Sequence, residues 1–196
     1  MLLFNSRRVR ISVGFCLLLA WFSLANGGAL LLTVLGAAAV HEMGHCLALW
    51  SCGGRVRCLR LSVFGAVMET DCRRLSYGKE IAALLAGPAA NLVGAFTAAG
   101  LRTEWGDVFT GANLALCLFN LLPVRPLDGG RVLELLCACL WSEEAGEWAA
   151  RVSGLCISLL MCLLLSLLVW RTGGNLWLIP AAVGFGLAAW RESCGK

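Results

Sequence analysis

The sequence predicts an all-α membrane protein that crosses the bilayer about six times. Two observations indicate this class: 59% of the 196 residues are hydrophobic with only 14% charged, and the mean hydropathy is +0.79. Soluble domains carry about 25% charged residues. A membrane-spanning helix needs about 20 apolar residues, and the chain offers several such stretches. We therefore expect one membrane-embedded domain over residues 1–196, with the lipid bilayer as its solvent.

Six apolar stretches are the candidate spans. Their predicted bounds are 9–25, 29–50, 80–101, 108–122, 152–170 and 176–190, and the fourth and sixth are short for a full crossing. The first stretch also has features of a secretory signal peptide, because arginines precede an apolar run that ends at Ser23-Leu24-Ala25. We interpret it as a retained span.

Positive charges predict the orientation of these spans. With six spans, all of the 16 Lys and Arg residues except Arg102 and Arg171 fall on the side of the N-terminus. The positive-inside rule then predicts a multi-pass protein of the cell membrane with both termini in the cytoplasm. The net charge of +4 is thereby explained by topology. Nucleic-acid binding is not expected, because the charges lie scattered at membrane edges and form no basic face.

Two connecting segments are predicted to have structure of their own. Residues 51–79 follow the second span, and their early alternation of polar and apolar side chains, with Gly65 between two runs, predicts a short cytoplasmic β-hairpin-like segment. An ordinary connecting loop is the alternative. An edge strand here could hold an extended peptide by main-chain pairing. Residues 128–151 mix glutamates with Leu and Trp, which predicts an interfacial helix before the last two spans.

Both histidines of the chain lie in one motif, His41-Glu42-Met43-Gly44-His45, near the end of the second span. Residues i and i+4 of a helix lie on one face about 5–6 Å apart. Both imidazoles can therefore bind one Zn²⁺, with Glu42 placed to activate a water molecule. A purely structural role is the alternative, but it requires an unligated carboxylate and imidazoles inside an apolar helix, which is unfavourable.

A catalytic zinc site needs a third protein ligand. The carboxylates at the predicted cytoplasmic edge are Glu69, Asp71, Glu80, Asp128 and Glu134. Asp128 is the best placed of these, because it follows the fourth span on the side where the histidines lie. Pro123 and Pro126 stop the helix, and the following Gly129-Gly130 allows the backbone to turn back. An ordinary turn is the alternative interpretation.

These motifs together resemble the site-2 protease family of intramembrane zinc metalloproteases. His41–His45 matches the His-Glu-x-x-His signature, and Asn120–Gly129 matches Asn-x-x-Pro-x-x-x-Leu-Asp-Gly. Gly87–Asn91 is similar to a Gly-Pro-x-x-Asn element, so that the resemblance covers residues 29–135. Residues 136–196, which comprise the rest of the interfacial helix and two spans, carry no signature. The chain looks most like the compact bacterial branch related to the sporulation protease that processes a pro-sigma factor.

The resemblance implies a reaction and a role for each residue. One zinc ion per chain would be held by His41, His45 and Asp128, with Glu42 as the general base. Asn120 and Asn91 would assist the substrate or the oxyanion, and an interhelical hydrogen bond is the alternative for each. The reaction implied is hydrolysis of membrane-spanning or membrane-associated proteins near the cytoplasmic side, as in regulated intramembrane proteolysis of a transcription-factor precursor.

Two other functions would use a similar sequence. A catalytically inactive membrane scaffold would keep the fold and bind partners, but all four implied zinc and catalytic residues are intact here. A metal-handling membrane protein would also place histidines and carboxylates in its spans. The complementary half-repeats and several ligating spans expected of a transporter are missing from this sequence.

Overall fold

The computed structural model describes residues 2–5, 9–62, 65–71, 75–171, 183–187 and 189–190. The elements in chain order are the strands β1 (Leu2–Asn5) and β2 (Val9–Ser12), the helices α1 (Val13–Asn26) and α2 (Gly28–Ser51), the strands β3 (Arg55–Ser62) and β4 (Gly65–Asp71), and the helices α3 (Tyr77–Ala99), α4 (Glu104–Asn120), α5 (Asp128–Leu140) and α6 (Glu143–Arg171). The chain divides into two compact units, Met1–Leu118 and Phe119–Lys196.

Three of these helices, α2, α3 and α6, are long and apolar enough to cross a bilayer. They correspond to the second, third and fifth predicted spans. Helix α1 has 14 residues, a length of about 21 Å against the roughly 30 Å of a bilayer core. The sixth predicted span, 176–190, lies mostly outside the described residues. The protein is thus mainly helical with three candidate spans, and the count of six stays a prediction.

Capping residues explain why three helices begin away from their predicted positions. Ser12 accepts a hydrogen bond from Phe15 N at 3.2 Å, so α1 starts at Val13 rather than Val9. Thr103 accepts from Gly106 N at 3.0 Å, and α4 starts four residues before the predicted Val108. The predicted interfacial helix of residues 128–151 was wrong in extent, because Ser142 caps a new helix through Ala145 N. Its second half belongs to α6, which runs on through the fifth span.

The four strands form one sheet in the order β1-β2-β3-β4. Strand β3 pairs antiparallel with β4, for example Leu61 with Ala66, within the segment where a hairpin-like structure was predicted. Strand β2 pairs with β3 in parallel, which was not predicted, because residues 9–12 had been assigned to the first span. In this sheet β3 is an interior strand, and β1 and β4 are the edges.

Helices α2 and α3 pack closely through small residues. The buried residues of α2 recur mostly every fourth position, at Thr33, Ala37, His41, Gly44, His45 and Leu49. Those of α3 are Ala83, Gly87, Pro88, Asn91, Ala95 and Ala98. A Cβ atom at Gly44 would lie 2.7 Å from Ala90 Cβ. Small residues let helices in membranes approach this closely, and here they bring polar side chains of both helices into contact.

Helix α6 presents a second stripe of small residues in the other unit. Gly146, Ala150, Gly154 and Ser158 are its buried residues, each four positions after the last. A Cβ atom at Gly146 would lie 3.0 Å from Ala138 N on α5. Large apolar side chains are exposed along the later turns of α6, including Leu159, Leu163 and Leu167. A helix that buries small residues and exposes leucines is typical of a span facing lipid.

Candidate metal centre

Helix α2 places the two imidazoles side by side on its buried face. His41 and His45 are 6% and 8% exposed, and their ring centroids lie 4.6 Å apart with the rings nearly perpendicular. This follows from the i, i+4 spacing, which puts both side chains on one face of the helix. Glu42 lies next to His41 in the same turn and is half-buried. The motif therefore forms the helical arrangement predicted from its spacing.

A backbone carbonyl determines the tautomer of His45. Its Nδ1 lies 2.9 Å from Ala83 O on α3. A carbonyl oxygen can only accept a hydrogen bond, so Nδ1 must carry the hydrogen and donate it. In a neutral imidazole the other nitrogen, Nε2, then carries no hydrogen and acts as an acceptor. His45 is thus held in the form that can bind a metal ion through Nε2.

A side-chain amide does the same for His41. Its Nδ1 lies 2.6 Å from Asn91 Oδ1, which accepts the hydrogen bond. The orientation of this amide follows from its other end, where Asn91 Nδ2 donates to Ala37 O at 2.9 Å and to Asn113 Oδ1 at 2.8 Å. Asn91 is fully buried. Because both of its N–H groups point at oxygens, its own oxygen faces His41, and Nε2 of His41 also keeps its lone pair.

The two Nε2 atoms face each other at 3.0 Å. Two lone pairs at this distance repel, and neither nitrogen has a hydrogen to share when both Nδ1 atoms are donors. A cation bound by both nitrogens removes the repulsion. Two nitrogens at about 2.0–2.1 Å from a tetrahedral zinc ion lie about 3.3 Å apart, within a few tenths of an ångström of the observed separation. The donor set and its geometry fit zinc.

Gly87 keeps the space beside the imidazoles open. A Cβ atom at this position of α3 would lie closer than van der Waals contact to Nε2 of His45, and 2.9 Å from Cε1 of His41. No side chain larger than hydrogen fits without displacing a ring. The glycine of the Gly-Pro-x-x-Asn element therefore has a steric role, and the asparagine of the same element holds His41.

The segment that carries Asp128 is tightly folded within its own unit. Asp128 is the first residue of α5 and is half-buried. The two glycines after it have no room for a Cβ atom, since one at Gly130 would lie 2.6–2.8 Å from the backbone of Val124 and Arg125. Val124 is 1% exposed, and Ser153 Oγ of α6 donates to Pro123 O at 3.1 Å. The backbone before Asp128 is therefore defined by packing.

The structure describes only some of the other carboxylates that were considered as metal ligands. Glu134 forms ion pairs with Arg125 at 2.9 Å and with Arg131 at 3.5 Å. Its partners therefore lie within its own unit, Phe119–Lys196. The side chains of Glu69 and Asp71 lie outside the described set. The histidines belong to the unit Met1–Leu118 and Asp128 to the unit Phe119–Lys196, and their binding of one metal ion stays a prediction.

Asn91 and Asn113 form a hydrogen bond between helices α3 and α4. Asn91 had been considered for the substrate or oxyanion, but its amide is used inside the helix packing, as the alternative interpretation required. Asn113, fully buried on α4, was missed. The signal available was an asparagine within an apolar helix, which must find a partner in lipid. Asn120 ends α4 and is half-buried, and its predicted role stays a prediction.

Comparison with known proteins gives matches at the level of sequence and of fold. The chain is 33% identical over 191 residues to Rip3 of Mycobacterium tuberculosis, which is provisionally named a zinc metalloprotease, covering 88% of this chain and 47% of Rip3. It is 31% identical over 142 residues to stage IV sporulation protein FB of Bacillus subtilis, covering 69% and 48%. The chain thus spans about half the length of these curated relatives. No family model matches.

The site-2 protease of Methanocaldococcus jannaschii has the same fold. Its structure superposes with a TM-score of 0.73 at 23% identity and covers 98% of this chain and 94% of that one. Fold and site together define a helical membrane protein with a His-Glu-x-x-His motif whose two imidazoles are oriented by helix α3. In sequence the chain is thus similar to Rip3, and in fold to a site-2 protease.

Proposed function

We propose that this chain is an intramembrane zinc metalloendopeptidase that cleaves membrane-spanning or membrane-associated proteins near the cytoplasmic side of the bilayer. The observation that carries the proposal is the pair of buried imidazoles, whose Nδ1 atoms each face an acceptor and whose Nε2 atoms face each other at 3.0 Å. The match to Rip3 supports the same activity.

The proposed centre holds one zinc ion per chain, with His41, His45 and Asp128 as its protein ligands. Two imidazole nitrogens and one carboxylate oxygen are a donor set that catalytic zinc sites use, and they leave a fourth position for water or substrate. Support for Asp128 comes from the Leu-Asp-Gly motif in which it stands and from the folded backbone that precedes it.

In the proposed reaction Glu42 handles the proton. A bound zinc ion supplies a Lewis acid that polarises the scissile carbonyl and acidifies water to a pKa of about 7. The Glu42 carboxylate accepts the proton from the attacking water and later donates it to the leaving amine. Its half-buried position, one residue from a metal ligand, suits a group that must reach water on one side and substrate on the other.

The histidines and asparagines contribute orientation in this proposal. Hydrogen bonds to Asn91 and Ala83 hold both rings in one tautomer, so no rearrangement is needed when a metal ion binds. Asn120 is proposed to donate to the substrate or oxyanion. A helical substrate must unwind locally before attack, because its carbonyls are otherwise bonded within the helix.

We also propose a multi-pass topology of six spans with both termini in the cytoplasm. The distribution of Lys and Arg supports this arrangement, and α2, α3 and α6 supply three of the spans. Proteins of the membrane are the partners expected of such a site, and regulated intramembrane proteolysis of a transcription-factor precursor is the process it would serve.

The test measures zinc content and peptide cleavage together, on the full chain in detergent with a panel of single-span peptides. Wild type should contain about one zinc ion and cleave. Glu42→Gln should keep zinc and lose about 10²–10⁴-fold in kcat, because general base catalysis contributes that much. Asp128→Ala should lose zinc. Glu147→Gln, at an exposed position of α6, is the matched control and should behave as wild type.

Each other result removes a defined part of the proposal. Wild type without zinc would refute the metal centre, and zinc without cleavage of any peptide would favour an inactive scaffold. Full cleavage by Glu42→Gln would exclude this residue as the base. An unchanged zinc content in Asp128→Ala would show that the third ligand is a different group.

A further inference from the structure

We infer that Asn113 is a positioning residue for the metal centre, one helix removed from it. Acting through Asn91, it holds His41 as the Nδ1–H tautomer, the form whose Nε2 can bind a metal ion. The inference rests on the proposed function for its use of zinc, but the tautomer itself belongs to the metal-free protein. Asn113 does not contact either imidazole in the hydrogen bonds described, so that its effect must pass through Asn91.

The argument begins with the two possible orientations of the Asn91 amide. In the observed one, Oδ1 accepts from His41 Nδ1 while Nδ2 donates to two oxygens. A flip of the amide would turn its oxygen toward Ala37 O and Asn113 Oδ1, at separations of 2.8–2.9 Å. Oxygen atoms opposed at this distance repel. The flipped amide would also present N–H to His41 and select the tautomer with hydrogen on Nε2.

Asn113 can oppose this flip because its own amide is fixed. Its Nδ2 donates to Phe109 O at 2.9 Å, one turn earlier on α4. The carbonyl of Phe109 can only accept, so Asn113 must turn its oxygen toward Asn91. Gly94 provides the room for this contact, since a Cβ atom there would lie 2.9 Å from Asn113 Oδ1.

The two asparagines that connect α4 to His41 are buried, so breaking their hydrogen bonds should cost free energy. Asn91 and Asn113 are both fully buried. A buried N–H without a partner is costly, and hydrogen bonds are electrostatically stronger in a low-dielectric surrounding than in water. Replacing Asn113 with an apolar residue leaves one N–H of Asn91 without its acceptor. Of the two oxygens that accept from Asn91 Nδ2, only Ala37 O then remains to fix the orientation of the Asn91 amide.

The experiment compares zinc affinity by chelator competition in four variants and wild type. Asn91→Leu should weaken zinc binding about 10–100-fold, as removal of outer-shell partners does, and Asn113→Leu about tenfold. Asn91→Leu with Asn113→Leu should equal Asn91→Leu within about twofold, because Asn113 acts only through Asn91. Thr110→Val is the matched control, since it removes another α4-to-α3 hydrogen bond, to Ala95 O at 3.2 Å, that does not involve Asn91.

A second measurement needs no metal. The chain has only two histidines, so ¹⁵N labelling of histidine in a tag-free protein gives two imidazole ring systems to assign. Metal-free wild type should show both rings as Nδ1–H tautomers at pH 8. In Asn113→Leu the His41 ring should shift toward the Nε2–H form, while His45 stays unchanged because its partner is Ala83 O. Thr110→Val should give the wild-type spectrum.

Asn113→Asp keeps the test decisive where Asn113→Leu does not fold. The carboxyl group of this variant can accept from Asn91 Nδ2 in either protonation state, so the variant should retain the wild-type tautomer. The inference is overturned by an unchanged His41 tautomer in folded Asn113→Leu, by a changed one in folded Asn113→Asp, or by additive losses in the double variant. Wild type that fails to bind zinc would refute the proposed function, and the metal-free spectra would still decide the role of Asn113.

Discussion

The two segments that carry the proposed ligands are held in different ways. His41 and His45 lie on α2 against α3, where neutral hydrogen bonds between buried groups orient both rings. Asp128 follows a turn whose backbone is fixed by packing against its own unit, with a partly exposed ion pair between Arg125 and Glu134 beside it. Orientation depends on side-chain chemistry in the first segment and on backbone shape in the second.

The difference teaches which contacts should matter most to each segment. Buried hydrogen bonds are strong and costly to break, whereas ion pairs near the surface contribute about 0–1 kcal/mol. Both segments also contain glycines that leave no room for a Cβ atom. Steric changes should therefore have large effects in both segments, and changes of charge should have small effects in the second.

The largest effect is expected for Gly87→Ala. The added methyl group would occupy the space beside Nε2 of His45 and force the ring away from the metal position. Zinc affinity should fall by at least about a hundredfold, the upper end of outer-shell effects, because a ligand itself is displaced. Gly111→Ala is the control, since nothing lies within 4 Å of a Cβ atom there. Wild-type affinity in Gly87→Ala would contradict the steric role of this glycine.

A smaller effect is expected for Gly130→Ala in the second segment. Its Cβ atom would meet the backbone of Val124 and Arg125, which cannot move aside as a side chain can. The free energy of unfolding should drop by about 1–3 kcal/mol, as for other overpacked sites. Thermal unfolding in detergent measures this loss, with Gly184→Ala, whose position is open, as the control. Equal melting temperatures for the two variants would show that packing does not define the turn.

The smallest effect is expected for Glu134→Gln. The change removes the charge that pairs with Arg125 and Arg131, whose side chains are 35% and 52% exposed. Solvent and salt screen such pairs, so stability should fall by no more than about 1 kcal/mol, and zinc content should not change. Repeating the melts at high salt should shrink the difference further. A large loss would mean that the ion pair, rather than packing, holds the turn.

Sequence patterns predicted the local parts of the site well. The predicted span of residues 29–50 became α2, Gly28–Ser51, because its apolar run is uninterrupted and its motif has helical spacing. Prediction failed where a single polar residue overrides an apolar run. Ser12 and Ser142 each begin a helix inside a segment that hydropathy treats as continuous, so the first span and the interfacial helix had wrong bounds.

The contacts between helices could not be predicted in the same way. His41 and Asn91 are 50 positions apart in the chain, and their contact depends on how far each helix is rotated about its axis. The four-residue spacing of the small residues in α3 indicates a packing face, but it does not identify the opposite helix. Asn113 illustrates the limit, because its importance follows from a partner on another helix.

We expect the tryptophans on α6 to set the depth of the turn before Asp128 in a bilayer. Trp148 and Trp170 are exposed and lie 22 residues apart, about 33 Å along the helix, close to the thickness of the hydrocarbon core. Tryptophans prefer the headgroup level and would anchor both ends there. Ser153, which bonds to Pro123 O, lies about 7 Å inward from Trp148. The turn should therefore lie just beneath the headgroups, where water can reach it. A thicker or thinner bilayer should change the access of water to this turn.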